Sequence, residues 1–255
     1  RIIREHHEVT KNFPQFQFAF KFQYRDLPTF IHPDADPNHN YVKRFRETNL
    51  SEDDRITLKD YAKSLGFITA CTPFDEASVD MVVKHGYDIL KVGSPSFNDW
   101  PLWDKIMQVW NGPIIASCGG ATVEEIDKVE KMSSNLTLMH CVPMYPTLGP
   151  EANVARVEYL RRRYPYIKIG YSTHEYYAGT RLGASLAMAA GATVFEKHVC
   201  ISPRPNDYSV TPSEMAHWLY RLKDAVMLWG DGEYIPRGAE LEKLALFSRK
   251  MIDGR

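Results

Sequence analysis

Several absences narrow the reading before any motif is considered. No stretch of the chain approaches the roughly 20 consecutive apolar residues of a membrane-spanning helix. The chain opens on Arg1-Ile2-Ile3-Arg4-Glu5, which reads as helix and not as a signal peptide. Net charge is scarce: 31 Lys and Arg against 32 Asp and Glu leave no overall field to draw the protein onto nucleic acid or a membrane surface. Cysteine is also scarce. Cys71, Cys118, Cys141 and Cys200 are widely spaced without a CxxC pair, which fits a reduced, cytoplasmic enzyme. A GxGxxG turn is missing too, which argues against a doubly wound nucleotide-binding sheet.

What is present is an ordinary globular composition, 44% hydrophobic and 25% charged over 255 residues. Short, β-rich apolar runs recur at Phe16–Phe22, Phe67–Cys71, Ile89–Val92, Pro113–Ala116, Leu136–Met139, Ile167–Tyr171 and Thr193–Phe195. They have strand length and little alternation, as parallel strands covered on both faces should. Helical spacing separates them: from Ser51 to about Leu65, Asp75 to His85, from the N-cap Thr122 onward, Glu151–Arg163, Gly179–Ala190 and Pro212–Trp229. Strand and helix in alternation predict βαβ units and a parallel sheet.

The count decides the architecture. Seven strands follow a helix-like segment, Arg1 to about Asn12, which itself wants a strand before it. The expected fold is therefore an α/β protein, a (β/α)8 TIM barrel without its first strand in this chain, with a doubly wound sheet as the alternative. Residues 1–232 are expected to form the barrel, and 233–255 a closing helix and linker. The segment Asp26–Leu50 is long, polar and rich in Pro, His and Asn; such a loop is usually functional or mobile.

Barrel enzymes place their chemistry at the carboxyl ends of the strands. Those positions hold Lys21 and Gln23, Thr72, Lys91 and Ser94, Ser117, His140 and Tyr145, Ser172 and His174, and Glu196, Lys197 and His198. Lys21 and Lys91 lie inside apolar strands, where an unpaired charge is costly. Converging on one rim with several hydroxyls, they would make a pocket for a phosphate or phosphate-carboxylate ligand. Ser117-Cys118-Gly119-Gly120 precedes a helix and offers free N–H groups to an oxyanion, although two glycines also simply make loops. His174 and His198 end consecutive strands and can reach one divalent cation; the alternative is a pair of hydrogen-bonded rim histidines. Glu196 shares the strand face of His198 and either orients a ligand, contacts substrate, or pairs with a strand lysine. His6, His7, His85 and His217 lie on helices and are expected at the surface. The cysteines are expected to be buried small side chains.

Six segments then resemble one family in order: Lys21-Phe22-Gln23, Thr72-Pro73-Phe74-Asp75, Lys91-Val92-Gly93-Ser94, His140-Cys141 with Tyr145-Pro146-Thr147, Gly170-Tyr171-Ser172-Thr173-His174, and Glu196-Lys197-His198. From about Lys21 to Met215 the chain resembles the synthase domain of the N-acetylneuraminate (sialic acid) synthase family, whose relatives make other nonulosonic acids and spore-coat polysaccharide precursors. The resemblance implies a (β/α)8 barrel that joins phosphoenolpyruvate to an N-acylated amino sugar. It implies phosphoenolpyruvate on Lys21, Thr72, Lys91, Ser94, Ser117, Tyr145 and Ser172, and Mn2+ or Mg2+ on His174 and His198 as a Lewis acid. It places Glu196 near the sugar, matches Asp207 to an acid of the following loop, and implies a homodimer whose C-terminal antifreeze-like domain reaches the partner's site. This chain departs from the family at Thr173, where Asp is usual, at Pro143, where Asn is usual, and at Cys118. The family's first strand is expected ahead of Arg1 and its antifreeze-like domain beyond Arg255, outside this sequence.

Overall fold

The protein is described from a computed structural model covering every residue except 177–179, 234, 236 and 248–255. Its elements in chain order are α1 (Ile2–Thr10), β1 (Ala19–Tyr24), α2 (Leu27–Phe30), α3 (Asn40–Glu47), α4 (Glu52–Ser64), β2 (Ile68–Pro73), α5 (Glu76–Lys84), β3 (Ile89–Val92), α6 (Trp100–Val109), β4 (Ile114–Ser117) and α7 (Val123–Glu130). There follow β5 (Leu136–Cys141), α8 (Arg156–Arg163), β6 (Lys168–Thr173), α9 (Thr180–Ala189), β7 (Val194–Lys197), α10 (Pro212–Trp229) and α11 (Gly238–Phe247).

The helices begin where their caps dictate. Ser51, Asp75, Asp99 and Thr122 each accept a backbone N–H of the first turn through the side chain. Thr122 with Glu125 forms a reciprocal capping box, and ahead of Pro212 the Thr211 N–H donates to Glu214 Oε2 (2.8 Å). The expected Gly179–Ala190 helix appears as α9, with its predicted first residue outside the described residues.

All seven strands run parallel in the order β1 to β7, each paired with its sequence neighbour. Flat, such a sheet would hold its outer strands about 29 Å apart at the usual strand spacing. Instead Lys21 of β1 comes within 4.0 Å of Glu196 of β7, so the sheet curls as a barrel does. Among the described residues β7 does not pair with β1. The residues of β5 are all buried, whereas those of β7 are all half-buried. Helix α1 packs on α10, and His6 Nε2 bonds the Cys200 carbonyl (3.0 Å) beyond β7.

The hydrophobic core lies between sheet and helices. Leu90, Val92, Leu138 and Ile169 meet Leu102, Trp103, Ile106 and Val157 there, all essentially inaccessible. Burying one such side chain stabilises the fold by roughly 1.5–3 kcal/mol. Because Leu90 and Val92 face the helices, Lys91 between them faces the barrel interior. The interior is tight as well: a Cβ on Gly170 of β6 would lie 2.8 Å from Met139 Cε of β5, so no side chain fits there.

Three expectations need correction. His6 and His85 are buried rather than superficial. His85 joins Tyr24 Oη (3.0 Å) to Glu52 Oε1 (2.9 Å), tying β1 to the start of α4. The segment Asp26–Leu50 is partly helical. Phe30 of α2 and Phe45 of α3 close, with Phe74, around the Arg25 guanidinium at 5.4, 4.4 and 3.8 Å, a cation–π cage that fastens the segment to the rim. Finally, α6 between β3 and β4 was not expected. None of the described helices is long and apolar enough to cross a membrane.

Candidate active site

Strand alternation delivers the first group of side chains to the interior. Lys21 Nζ donates to Thr72 Oγ1 (3.4 Å), and Lys91 Nζ donates to Ser117 Oγ (2.7 Å). Both lysines face the same carboxylate oxygen, Glu196 Oε2, at 4.0 and 3.6 Å. Ser172 Oγ donates to Glu196 Oε1 (3.0 Å). The pairing of Glu196 with strand lysines is thus realised, and with both of them. Burial works to raise the Glu196 carboxyl, but the Lys21 and Lys91 charges outweigh it and hold the group well below the usual carboxylate range. Burial pushes the Lys91 ammonium down. One carboxylate against two ammonium groups leaves a positive balance inside the barrel, which an anion with several oxygens would neutralise.

Ser94 and Gly119 form the adjoining wall. The Gly119 N–H donates to Ser94 Oγ (3.2 Å). A Cβ at Gly119 would sit 2.7 Å from both Ser94 Oγ and the Cys141 carbonyl, and 3.0 Å from Pro143 Cδ, so this close approach requires glycine. Pro143 therefore lies against the same wall. Thr173, the other departure, accepts the Glu175 N–H through Oγ1 (3.2 Å) and is buried.

The second group stands just beyond the ends of β6 and β7. His174 and His198 follow β6 and β7 with ring centroids 5.1 Å apart. The Tyr145 ring lies 4.2 Å from His174 and keeps about half its surface exposed, 51%. Burial lowers both imidazoles, His198 to about 3, so each is neutral at pH 7. His174 Nδ1 faces the Val142 carbonyl at 3.0 Å; a carbonyl only accepts, so Nδ1 carries the proton and Nε2 keeps its lone pair. Neutral imidazoles oriented through a carbonyl suit a divalent transition ion. Among the described residues no group of three or more His, Cys, Asp or Glu is arranged around one ion. His174 Nε2 and the neutral His198 ring are donors of the kind such an ion takes, two of them with no third beside them among the described residues.

The structure brings together Lys21, Thr72, Lys91, Ser117, Ser172 and Glu196, flanks them with Ser94, and sets His174, His198 and Tyr145 beside them. Cys141, buried as expected, bridges the groups with Sγ 3.7 Å from His174 Nδ1. Other strand-end residues fall elsewhere. His140 bonds the Ala152 carbonyl (2.8 Å) on the helix side. Lys197 donates to the Glu175 carbonyl (3.1 Å), and burial brings it down to about 8. Gln23 is exposed and accepts from Arg25 (3.4 Å). Asp207 is exposed and makes no hydrogen bond or ion pair among the described residues. Its neighbour Tyr208, which sequence reasoning missed, meets Tyr145 and His198, each at 5.2 Å between centroids. Its loop has no periodicity that could have signalled it.

Comparison with known proteins identifies the family of the chain. The chain is 28% identical over 246 residues to an uncharacterised protein, MJ1065, of Methanocaldococcus jannaschii, covering 93% of this chain and 70% of that protein. It is 30% identical to the N,N'-diacetyllegionaminic acid synthase of Legionella pneumophila, covering 86% of this chain and 63% of the relative. The crystal structure of a Chromobacterium violaceum protein described as spore coat polysaccharide biosynthesis protein E superposes with TM-score 0.90 at 41% identity, over 95% of this chain and 74% of that one. The chain thus spans between three fifths and three quarters of these relatives' own length. Residues 18–234 match the NeuB family model, most of the chain, and on that match and these relatives the chain belongs to the NeuB family.

Proposed function

We propose that this protein is a synthase that condenses phosphoenolpyruvate with an N-acylated amino sugar, N-acetylmannosamine-like, to give a nonulosonic acid of the sialic acid type and phosphate. The observation that carries this reading is the Lys21–Glu196–Lys91 group, buried at Lys91 and half-buried at Lys21 and Glu196, with its positive balance and its three hydroxyl partners. Phosphoenolpyruvate presents a phosphate and a carboxylate on three carbons and matches two lysines and a ring of hydroxyls. Tyr145 and Asp207 are assigned to the substrates by the family resemblance.

In the reaction, carbon 3 of phosphoenolpyruvate attacks the aldehyde carbon of the open-chain sugar and forms the new carbon–carbon bond. The aldehyde oxygen takes a proton as cationic character develops at carbon 2; water adds there and gives up a proton, and the bond from carbon 2 to the phosphate oxygen breaks, phosphate departing with a proton as the new hydroxyl becomes the 2-keto group. Lys21 and Lys91 hold the phosphate and carboxylate charge throughout, preorganised by Thr72, Ser117 and Glu196. Glu196, held ionised by the lysines, stabilises the developing positive charge at carbon 2. His174 and His198 would hold Mn2+ or Mg2+, which when bound supplies Lewis-acid polarisation of the aldehyde oxygen.

By the same resemblance we propose a cytoplasmic homodimer in which the barrel spans 1–232 and 233–255 lead towards a further domain. Product analysis tests the chemistry: the intact protein with phosphoenolpyruvate, Mn2+ and a panel of N-acylated hexosamines should yield a 2-keto acid three carbons longer than the acceptor. Free pyruvate with no condensed product would overturn the reading in favour of a phosphatase.

A further inference from the structure

The loop between β7 and α10 is anchored at both ends. Val210 N–H donates to the His198 carbonyl (2.9 Å), and its own carbonyl accepts the Cys200 N–H (2.8 Å). Asn206 Oδ1 accepts the backbone N–H groups of Tyr208 (3.3 Å) and Ser209 (2.8 Å), and Arg204 pairs with Glu214. This fixes Tyr208, whose ring stands edge-on to both imidazoles, at 89° to His198 and 90° to His174. Its other neighbour is the Tyr145 ring, inclined at 65°. Tyr208 is half-buried, and its phenol oxygen is not buried and makes no hydrogen bond among the described residues.

The lysine-paired Glu196 lies in β7 and His198 just beyond its end, with Tyr208 beside it. Two residues of strand are about 7 Å. An acceptor that reacts with an anion held on the lysines must lie on the mouth side of them, against the imidazoles. The surface it meets there is the V-shaped corner of two aromatic rings, Tyr145 and Tyr208. Aromatic faces favour C–H and methyl groups.

We propose that Tyr208 is a specificity-determining residue whose ring, with Tyr145, seats the methyl of the acceptor's N-acyl group. The assignment rests on the synthase reading and adds the residue that recognises the acyl substituent. One methylene-sized group in an apolar seat discriminates by at least about tenfold.

The test uses the intact protein and measures kcat/KM for paired N-acetyl and N-formyl hexosamines, together with the KM for phosphoenolpyruvate. The wild type should prefer the N-acetyl acceptor about tenfold. Tyr208→Ala should bring the two acceptors near parity and raise the acceptor KM by a larger factor than the phosphoenolpyruvate KM, since Tyr145, its ring neighbour, is the residue the resemblance gives to phosphoenolpyruvate. Tyr208→Phe, which keeps the ring, should retain the preference. An undiminished preference in Tyr208→Ala, no preference in the wild type, or an equal rise in both KM values would overturn the assignment and leave the synthase reading standing. A wild type that condenses no acceptor would sink the synthase reading and the assignment with it.

Discussion

Replacing Glu196 by Gln removes the single negative charge between two ammonium groups and keeps the shape. At an effective dielectric of about 20, charges at 3.6 and 4.0 Å each contribute roughly 4 kcal/mol of gross attraction. Desolvation of the carboxylate offsets much of this, and breaking a buried pair typically costs about 3–5 kcal/mol. We therefore expect Glu196→Gln to lose about 3 kcal/mol, a fall in Tm of roughly 6–12 °C for a chain of this size. The two lysines then lack a counter-charge, so an added anion should restore more stability in the variant than in the wild type. A further gain of about 1.4 kcal/mol would mean tenfold tighter binding. Lys91, already pushed down by burial, loses its counter-charge as well, so the gain should grow as pH falls below neutral. The assay is thermal unfolding of both proteins with and without phosphoenolpyruvate, at two pH values. Equal anion-induced shifts would refute the reasoning, because the anion would then not sit on the lysine pair.

Gly119→Ala should raise the KM for phosphoenolpyruvate about tenfold and cost roughly 1–3 kcal/mol of stability, since its Cβ meets Ser94 Oγ and the Cys141 carbonyl at 2.7 Å; calorimetric titration and denaturant unfolding check both. His174→Ala and His198→Ala should abolish turnover and Mn2+ binding while the circular dichroism spectrum stays near that of the wild type; collapse of the fold in both would make them core histidines instead. His6 and His140 are held below the ordinary imidazole value by burial, so below about pH 6.5 the unfolded chain takes protons that the folded one refuses. Stability should therefore drop as pH falls from 6.5, by at most about 1.4 kcal/mol per unit for each, and His140→Gln should flatten the urea-midpoint profile. Borohydride with pyruvate should leave no covalent adduct on Lys91 or Lys197; trapping one would point to a Schiff-base aldolase on the same barrel.

The strands were legible because both faces are covered, which writes them as short apolar runs. Ile89–Val92 appears as read, and Pro212–Trp229 as well, where the Thr211–Glu214 hydrogen bond and a proline mark the start. The first strand was read three residues early at its start because Phe16 and Phe18 are apolar for another reason: they pack edge to face (6.3 Å, 84°) before β1 begins. Helix α6 was lost behind Pro101, which sits in its first turn after the cap Asp99. The lysine pair was legible because a charge inside an apolar strand demands a partner. Glu196 was among the partners the sequence offered, but that it takes both lysines depends on the curl that brings β1 to β7, a property of the curled sheet and not of either strand. His6 and His85 were misplaced because helical spacing gives a residue's phase and not what covers it. Tyr208 was illegible because its place is set by the clamps at Asn206 and Val210.

The central claim is tested most directly by phosphate release from phosphoenolpyruvate, using the intact protein, Mn2+ and N-acylated hexosamines. The account predicts release that requires both the sugar and the metal, stops with EDTA, and is lost in Glu196→Gln. Phosphoenolpyruvate binding without release for any sugar, or release that continues without the sugar, would contradict it.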